Sequence, residues 1–133
     1  MLKVMKKKLL VVIAMLVVAS GIIFTGSTST KAEDNEVQYL GKYNLTAYCG
    51  CKKCSGKWGA RTASGKKAKQ GRTIAVDKRK IKLGSKVQIN GKTYVAEDVG
   101  GGVKGKHIDV FFKSHKQTKK FGKKTGVKVY KVN

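Results

Sequence analysis

From Tyr39 to the C-terminus the chain holds 25 lysines and arginines but four carboxylates: Asp77, Glu97, Asp98 and Asp109. Asp98 and Asp109 stand eleven residues apart in VAEDVGGGVKGKHIDVFF, on either side of a glycine-rich stretch. Acids retained in so basic a segment are candidates for proton transfer. A carboxyl that is out of water and near another carboxylate keeps its proton to higher pH. Gly100, Gly101, Gly102 and Gly105 leave the backbone between them open to a ligand, because no side chain blocks the approach. The plainer alternative is that aspartates at strand ends cap turns or pair with lysine.

Cys49, Cys51 and Cys54 form a second chemical cluster, in YCGCKKCSGKW. An odd count in an exported chain reads as one disulfide with a spare thiol, as a metal site, or as a link to another chain. Zinc needs a fourth ligand. His107 and His115 are the only two histidines, and nothing in the spacing brings either to the sulfurs. The expectation is therefore a disulfide within Cys49, Cys51 and Cys54, and no metal, in keeping with an oxidising compartment. No acid–base partner for a nucleophilic thiol is identifiable.

The elements that must position these groups read as β throughout. Val37–Tyr48 alternates Val37, Tyr39, Tyr43, Leu45 and Ala47 with polar residues, close to period two. Thr73–Val76, Lys86–Ile89, Thr93–Glu97, His107–Phe112 and Val127–Val132 are further short runs rich in Val, Ile, Tyr and Phe. Asn90-Gly91 between two of them signals a tight hairpin turn, which needs positive φ at both central residues. Residues 93–98 and 107–112, if paired, place Tyr94, Ala96 and Asp98 on one face and His107, Asp109 and Phe111 on a shared face of the partner strand. Short helices are expected near Asp77–Lys80 and across Ser114–Lys120, the second with Ser114 as N-cap and Gly122 past its end. Six short strands suggest an all-β fold closed into a small barrel, since closure removes exposed edges. There is no proline, no internal repeat and no low-complexity tract.

The N-terminus sets the compartment. Lys3, Lys6, Lys7 and Lys8 precede an uncharged stretch from Leu9 to Phe24, and a polar segment then ends Thr30-Lys31-Ala32. This is the layout of a secretory signal peptide over residues 1–32, and the sixteen-residue apolar run is short for a membrane span. An uncleaved N-terminal anchor is the alternative. Residues 33–38 follow as a polar linker, and 39–133 as the domain. The whole chain carries +23; residues 1–32 hold five lysines and no acid, so the exported part carries +18. A field of that sign concentrates polyanions. Outside a cell membrane the abundant ones are wall polymers and lipid headgroups rather than nucleic acid. A soluble lysine-rich surface without a single partner is the bland alternative.

Several segments occur in an order that carries a resemblance. They are Thr46-Ala47-Tyr48, Thr62-Ala63-Ser64-Gly65, Ile74-Ala75-Val76-Asp77, Ile81–Gly84, Ala96-Glu97-Asp98-Val99-Gly100-Gly101, Lys104–Val110, Phe121-Gly122 and Val127–Val129. Together they resemble the 3D domain, a family named for three aspartates, which here are Asp77, Asp98 and Asp109. That domain occurs in stationary-phase survival proteins of Gram-positive bacteria and is similar to the catalytic barrel of membrane-bound lytic transglycosylase A. The resemblance runs from about Tyr43 to Val132 and implies a double-ψ β-barrel. It also implies cleavage of the MurNAc–GlcNAc bond of peptidoglycan with a 1,6-anhydro product. The aspartate matching Asp109 is the catalytic acid in that family, with those matching Asp98 and Asp77 in the same groove. The matched segments imply substrate contacts at Thr46, Tyr48, Thr62, Gly100, Gly101 and Lys104. The cysteine cluster is not part of the general pattern. The resulting expectation is a secreted or wall-associated lytic transglycosylase, monomeric and without cofactor. Its partners are peptidoglycan glycan strands and anionic wall polymers, not nucleic acid. The alternative is a non-catalytic module that binds wall glycan or teichoic acid on the same barrel.

Overall fold

In the computed structural model the described residues are 36–133. The signal-peptide reading of residues 1–32 and most of the linker lie outside them. Six strands follow in chain order: β1 (Val37–Tyr48), β2 (Thr73–Val76), β3 (Lys86–Ile89), β4 (Lys92–Asp98), β5 (His107–Phe111) and β6 (Lys124–Val132). They pair in a closed ring, β1-β5-β2-β4-β3-β6. The chain is mostly β, as the alternating runs imply. β1 starts at Val37, opposite Val132. Among the described residues no helix is long and apolar enough to cross a membrane.

One face of each strand fills the barrel. Leu45, Ile74, Val76, Val87, Ile108 and Val129 are fully buried, and each contributes about 1.5–3 kcal/mol relative to exposure. Tyr43, Ile81, Ile89, Ala96 and Val110 complete the cluster. β3 and β4 form a hairpin whose turn residues Asn90 and Gly91 have φ of 50° and 75°, the left-handed pair that such a turn demands.

Two expectations are corrected. β4 and β5 are not paired with each other: β2 lies between them, parallel to β4 and antiparallel to β5. Residues 99–106 are therefore a crossover around β2, not a hairpin loop. The expected helix near Asp77–Lys80 is a single turn, in which the N–H groups of Lys80 and Ile81 donate to the Asp77 carbonyl at 2.8 and 3.0 Å. The Asp77 carboxylate takes the Arg79 N–H as an N-cap would, but the chain is not helical beyond this turn.

Among the described residues there are two short α-helices, α1 (Lys52–Ser55) and α2 (His115–Phe121), with a 3₁₀ turn at Gly56–Trp58. α2 starts in a capping box: Ser114 Oγ accepts from Gln117 N, and Gln117 Oε1 accepts from Ser114 N. Gly122 closes it, as the sequence implies. Phe121 stacks on Phe112 at a centroid distance of 5.3 Å and holds the helix to the barrel.

Candidate active site

Asp109 is set by two strands at once. Ile108 and Val110 belong to the core, so alternation turns Asp109 outward. Parallel pairing puts Thr46 of β1 beside it, and antiparallel pairing puts Ala75 of β2 on its other side. Thr46 Oγ1 donates to Asp109 Oδ1 at 3.0 Å and also meets His107 Nε2 at 2.7 Å. The other ring nitrogen of His107, Nδ1, lies 3.1 Å from the Gly102 carbonyl.

Asp98 reaches the same outer face through an irregularity. Ala96 pairs with Ile74, but the next partner, Ala75, faces Asp98, so Glu97 is an extra residue in β4. Such a bulge changes the side to which the following side chain points. Ala96 is in the core, as is Tyr94 at its edge, whereas Asp98 opens outward beside Ala75. This corrects the expectation that Tyr94, Ala96 and Asp98 share a face. Asp98 and Asp109 thus flank Ala75 from opposite sides, two strand spacings apart, roughly 9.5–10 Å between backbones. The bulge residue has its own role. Glu97 is buried, accepting from Thr73 Oγ1 at 2.6 Å and pairing with Arg72 at 3.1 Å.

The three aspartates sit in different electrostatic settings. Asp98 Oδ2 accepts from Tyr48 O–H at 2.8 Å, and its Oδ1 from the N–H groups of Ala63 and Val99 at 3.0 and 2.9 Å. Asp77 accepts Arg79 Nη2 at 2.7 Å, Arg79 Nε at 3.0 Å, the Arg79 amide at 3.0 Å and the Gly105 amide at 2.8 Å. Those bonds, led by the guanidinium, hold its carboxyl far below the usual range. Asp109 goes the other way. Burial raises its pKa, the Thr46 bond and His107 oppose this, and the Asp98 charge adds to it. Asp77 plays no part in that shift. Burial, with Asp98 next to it, also pushes the Tyr48 hydroxyl well above its ordinary value, so Tyr48 remains a donor.

These groups line one groove of about 940 Å³. Tyr48, Thr62, Asp77, Asp98, Gly100, Gly101, Lys104 and Asp109 are all on its wall. Gly101 is open on its outer side. Thr62 is buried and its hydroxyl bonds Ser64 and the Lys66 carbonyl, so it shapes a turn. Thr46 lies behind Asp109, on a smaller pocket with Asn44, Lys106 and His107. Several contributors were not legible beforehand. The Ala63 amide reaches Asp98 because Ser64 N–H donates to the bulge carbonyl of Glu97 at 2.9 Å. Trp58, 64% exposed, forms part of the rim. Arg79 did carry a signal, two residues after Asp77.

At the edge of the groove the three cysteines stand together. All three thiols are free, and His115 is beside them, with Nδ1 at 3.7 Å from Cys51 Sγ and 3.5 Å from Cys54 Sγ. The fourth ligand type that spacing could not supply is supplied by the fold.

The 3D domain family model matches residues 72–133. YabE of Bacillus subtilis (strain 168), named as a cell wall shaping protein, is 42% identical over 93 residues, covering 66% of this chain and 22% of its own length. The chain thus spans about a fifth of that relative. Two crystal structures of MltA from Escherichia coli, one described as revealing a unique lytic transglycosylase fold, give TM-scores of 0.46 and 0.47 at 21% and 22% identity. Each covers 55% of this chain and 27% of its own. The matched segment, residues 72–133, is the one that bears Asp77, Asp98 and Asp109.

Proposed function

We propose that the protein is a secreted or wall-associated peptidoglycan lytic transglycosylase that cleaves the MurNAc–GlcNAc bond and leaves a 1,6-anhydro end. The observation that carries this is the state of Asp109: among the described residues it is the one carboxyl with a raised pKa, and it faces a groove of glycan size. Ordinary glycosidases need two working carboxyl groups. Here Asp98 is occupied by three donors and Asp77 by an arginine and an amide. That leaves one acid, which is what a lytic reaction requires. Asp109 protonates the glycosidic oxygen as the C1–O bond breaks. The C6 hydroxyl of the same sugar then bonds to C1, and its proton passes to the Asp109 carboxylate. The nucleophile is intramolecular, so its effective concentration is already high.

Asp98 acts here as a fixed anion that strengthens the proton affinity of Asp109 and faces the positive charge developing on the sugar. Gly100, Gly101, Lys104 and Tyr48 contact the glycan, and Asp77 positions the crossover loop through Gly105. The cell-wall name of the Bacillus relative and the +18 charge of the exported part agree with wall glycan and its anionic polymers as partners. We further assign the barrel to the double-ψ class, supported by its two parallel pairings, β1–β5 and β2–β4. Residues 33–38 serve as the linker from a signal peptide over 1–32, with the strand ladder of the domain already begun at Val37. Digestion of purified peptidoglycan, read by mass spectrometry, is expected to yield anhydromuropeptides. Binding without any anhydro product would instead make the protein a wall-binding module.

A further inference from the structure

The loop from Cys49 to Gly59 forms one wall of the groove, yet little in it is buried. Neither α1 nor the 3₁₀ turn has a buried residue, and Trp58 projects into solvent. Apolar packing does not hold this segment. What converges on it is a set of four soft donors. Cys49, 1% exposed, follows β1 directly. Cys51 is the N-cap of α1, Cys54 lies within α1, and His115 opens α2. Their ligand atoms all lie within 4.8 Å of one another. Cys49 Sγ is 3.1 Å from Cys51 Sγ and 3.6 Å from Cys54 Sγ.

The convergence has a cause in the topology. β1 and β5 are parallel and in register to their ends, Tyr48 opposite Phe111. The Phe112 amide donates to the Tyr48 carbonyl at 2.8 Å, so the two chains leave the barrel side by side. One continues into the cysteines, and the other into the Ser114 cap that fixes His115 at the first helical position. Within the loop the amides of Cys54 and Ser55 donate to the Cys51 carbonyl at 3.1 and 2.9 Å, and Ser55 Oγ donates to the Cys49 carbonyl at 2.6 Å. This places two of the sulfurs on either side of one helical turn.

We propose that Cys49, Cys51, Cys54 and His115 form a structural zinc site that fixes the Cys49–Gly59 wall of the groove to the start of α2. A tetrahedron with Zn–S of about 2.3 Å and Zn–N of about 2.0–2.1 Å has edges of roughly 3.5–3.8 Å. The Sγ–Nδ1 distances of 3.5 and 3.7 Å and the Cys49–Cys54 separation of 3.6 Å fall on those edges. Three thiolates and an imidazole select zinc among the common divalent ions. Four protein ligands leave no open position, which is the arrangement of a structural rather than a catalytic site. On binding, the three thiols release their protons, and the resulting complex carries one negative charge in a loop that also bears Lys52, Lys53 and Lys57. A single disulfide, by contrast, would use two sulfurs and leave the third and the imidazole facing each other without a role.

The test reads metal directly and needs no substrate, so its failure is separate from any failure of the lytic reading. The full chain, purified with its thiols reduced, is titrated with zinc and analysed for metal content after gel filtration. One zinc per chain is expected, with all three cysteines protected from alkylation until a chelator is added. Cobalt in place of zinc is expected to give the intense visible bands of a tetrahedral thiolate site. His115→Ala and Cys54→Ser are expected to weaken zinc binding by more than the about 10–100-fold seen when only a supporting residue is lost. The cobalt spectrum of the unaltered chain keeps the proposal testable should those variants not fold. No bound metal with reduced thiols, octahedral cobalt, or unchanged affinity in a folded His115→Ala chain would each overturn the site. Recovery of the exported protein with two of the cysteines disulfide-bonded and no zinc would do the same.

Discussion

Asp109 and Asp77 stand on the walls of one groove and differ in almost everything except residue type. Asp109 is half-buried and accepts a single side-chain hydrogen bond among the described residues, and its proton affinity is raised. Asp77 is 5% exposed, more buried than Asp109, yet its affinity is lowered. Burial alone therefore does not decide which carboxyl keeps a proton. The donors decide it. A guanidinium and two amides stabilise the Asp77 anion more than lost water destabilises it, whereas one hydroxyl does not do so for Asp109. Asp98 is a third case, held by a phenol and two amides and serving Asp109 as a nearby charge.

The strongest way to break this comparison is Asp109→Asn, which keeps the shape and removes the transferable proton. Anhydro-product formation is expected to fall by about 10²–10⁴-fold or more, with the circular dichroism spectrum and glycan binding retained. Wild-type rates from a folded Asp109→Asn protein would transfer the catalytic role elsewhere.

Asp77→Asn removes the ion pair with Arg79 and weakens the hold on Gly105. The rate is expected to drop by up to about 10²-fold through misplacement of the crossover loop, with a lower melting temperature. The pH at which activity declines on the alkaline side is expected not to move, because Asp77 does not act on the Asp109 proton. A moved limb would mean that the two walls are electrostatically joined after all. The stability profiles separate the residues too. Asp77, with a depressed affinity, contributes stability that is fully present above the ordinary carboxylate range, about pH 4, and is lost as pH falls through its folded-state value. Asp109, with a raised affinity, contributes below that range and loses its contribution as pH rises through its folded-state value. Melting temperatures of Asp77→Asn against pH are thus expected to show a flatter acid limb than the wild type.

Asp98→Asn takes away a charge that raises Asp109. The alkaline limb of the rate profile is expected to shift to lower pH, with a smaller loss of maximal rate than for Asp109→Asn. Thr46→Val is the smallest change and has the opposite sign. It removes the hydrogen bond that favours the carboxylate, so the limb is expected to shift to higher pH. Shifts of the same sign in both variants, measured over one buffer series, would contradict the account of Asp109.

The sequence by itself determined the strands and the identity of the acids. A period-two run marks β1, and short runs rich in Val and Ile mark β2 and β3, at the boundaries observed. Asn90-Gly91 and Ser114…Gln117 fix a turn and a helix start through bonds spanning a few residues, so they too are local signals. The order of neighbours in the ring was not local. β2, between β4 and β5, separates two strands that follow each other in the chain, and only closure of the barrel selects that arrangement. The bulge at Glu97 turned Asp98 to the groove, and closure of the ring brought Thr46, 63 residues away, to Asp109. It also brought His115 to cysteines 61 and 64 residues distant. Contacts of that separation leave no periodicity to read, since their energy is realised only when every strand of the ring is paired.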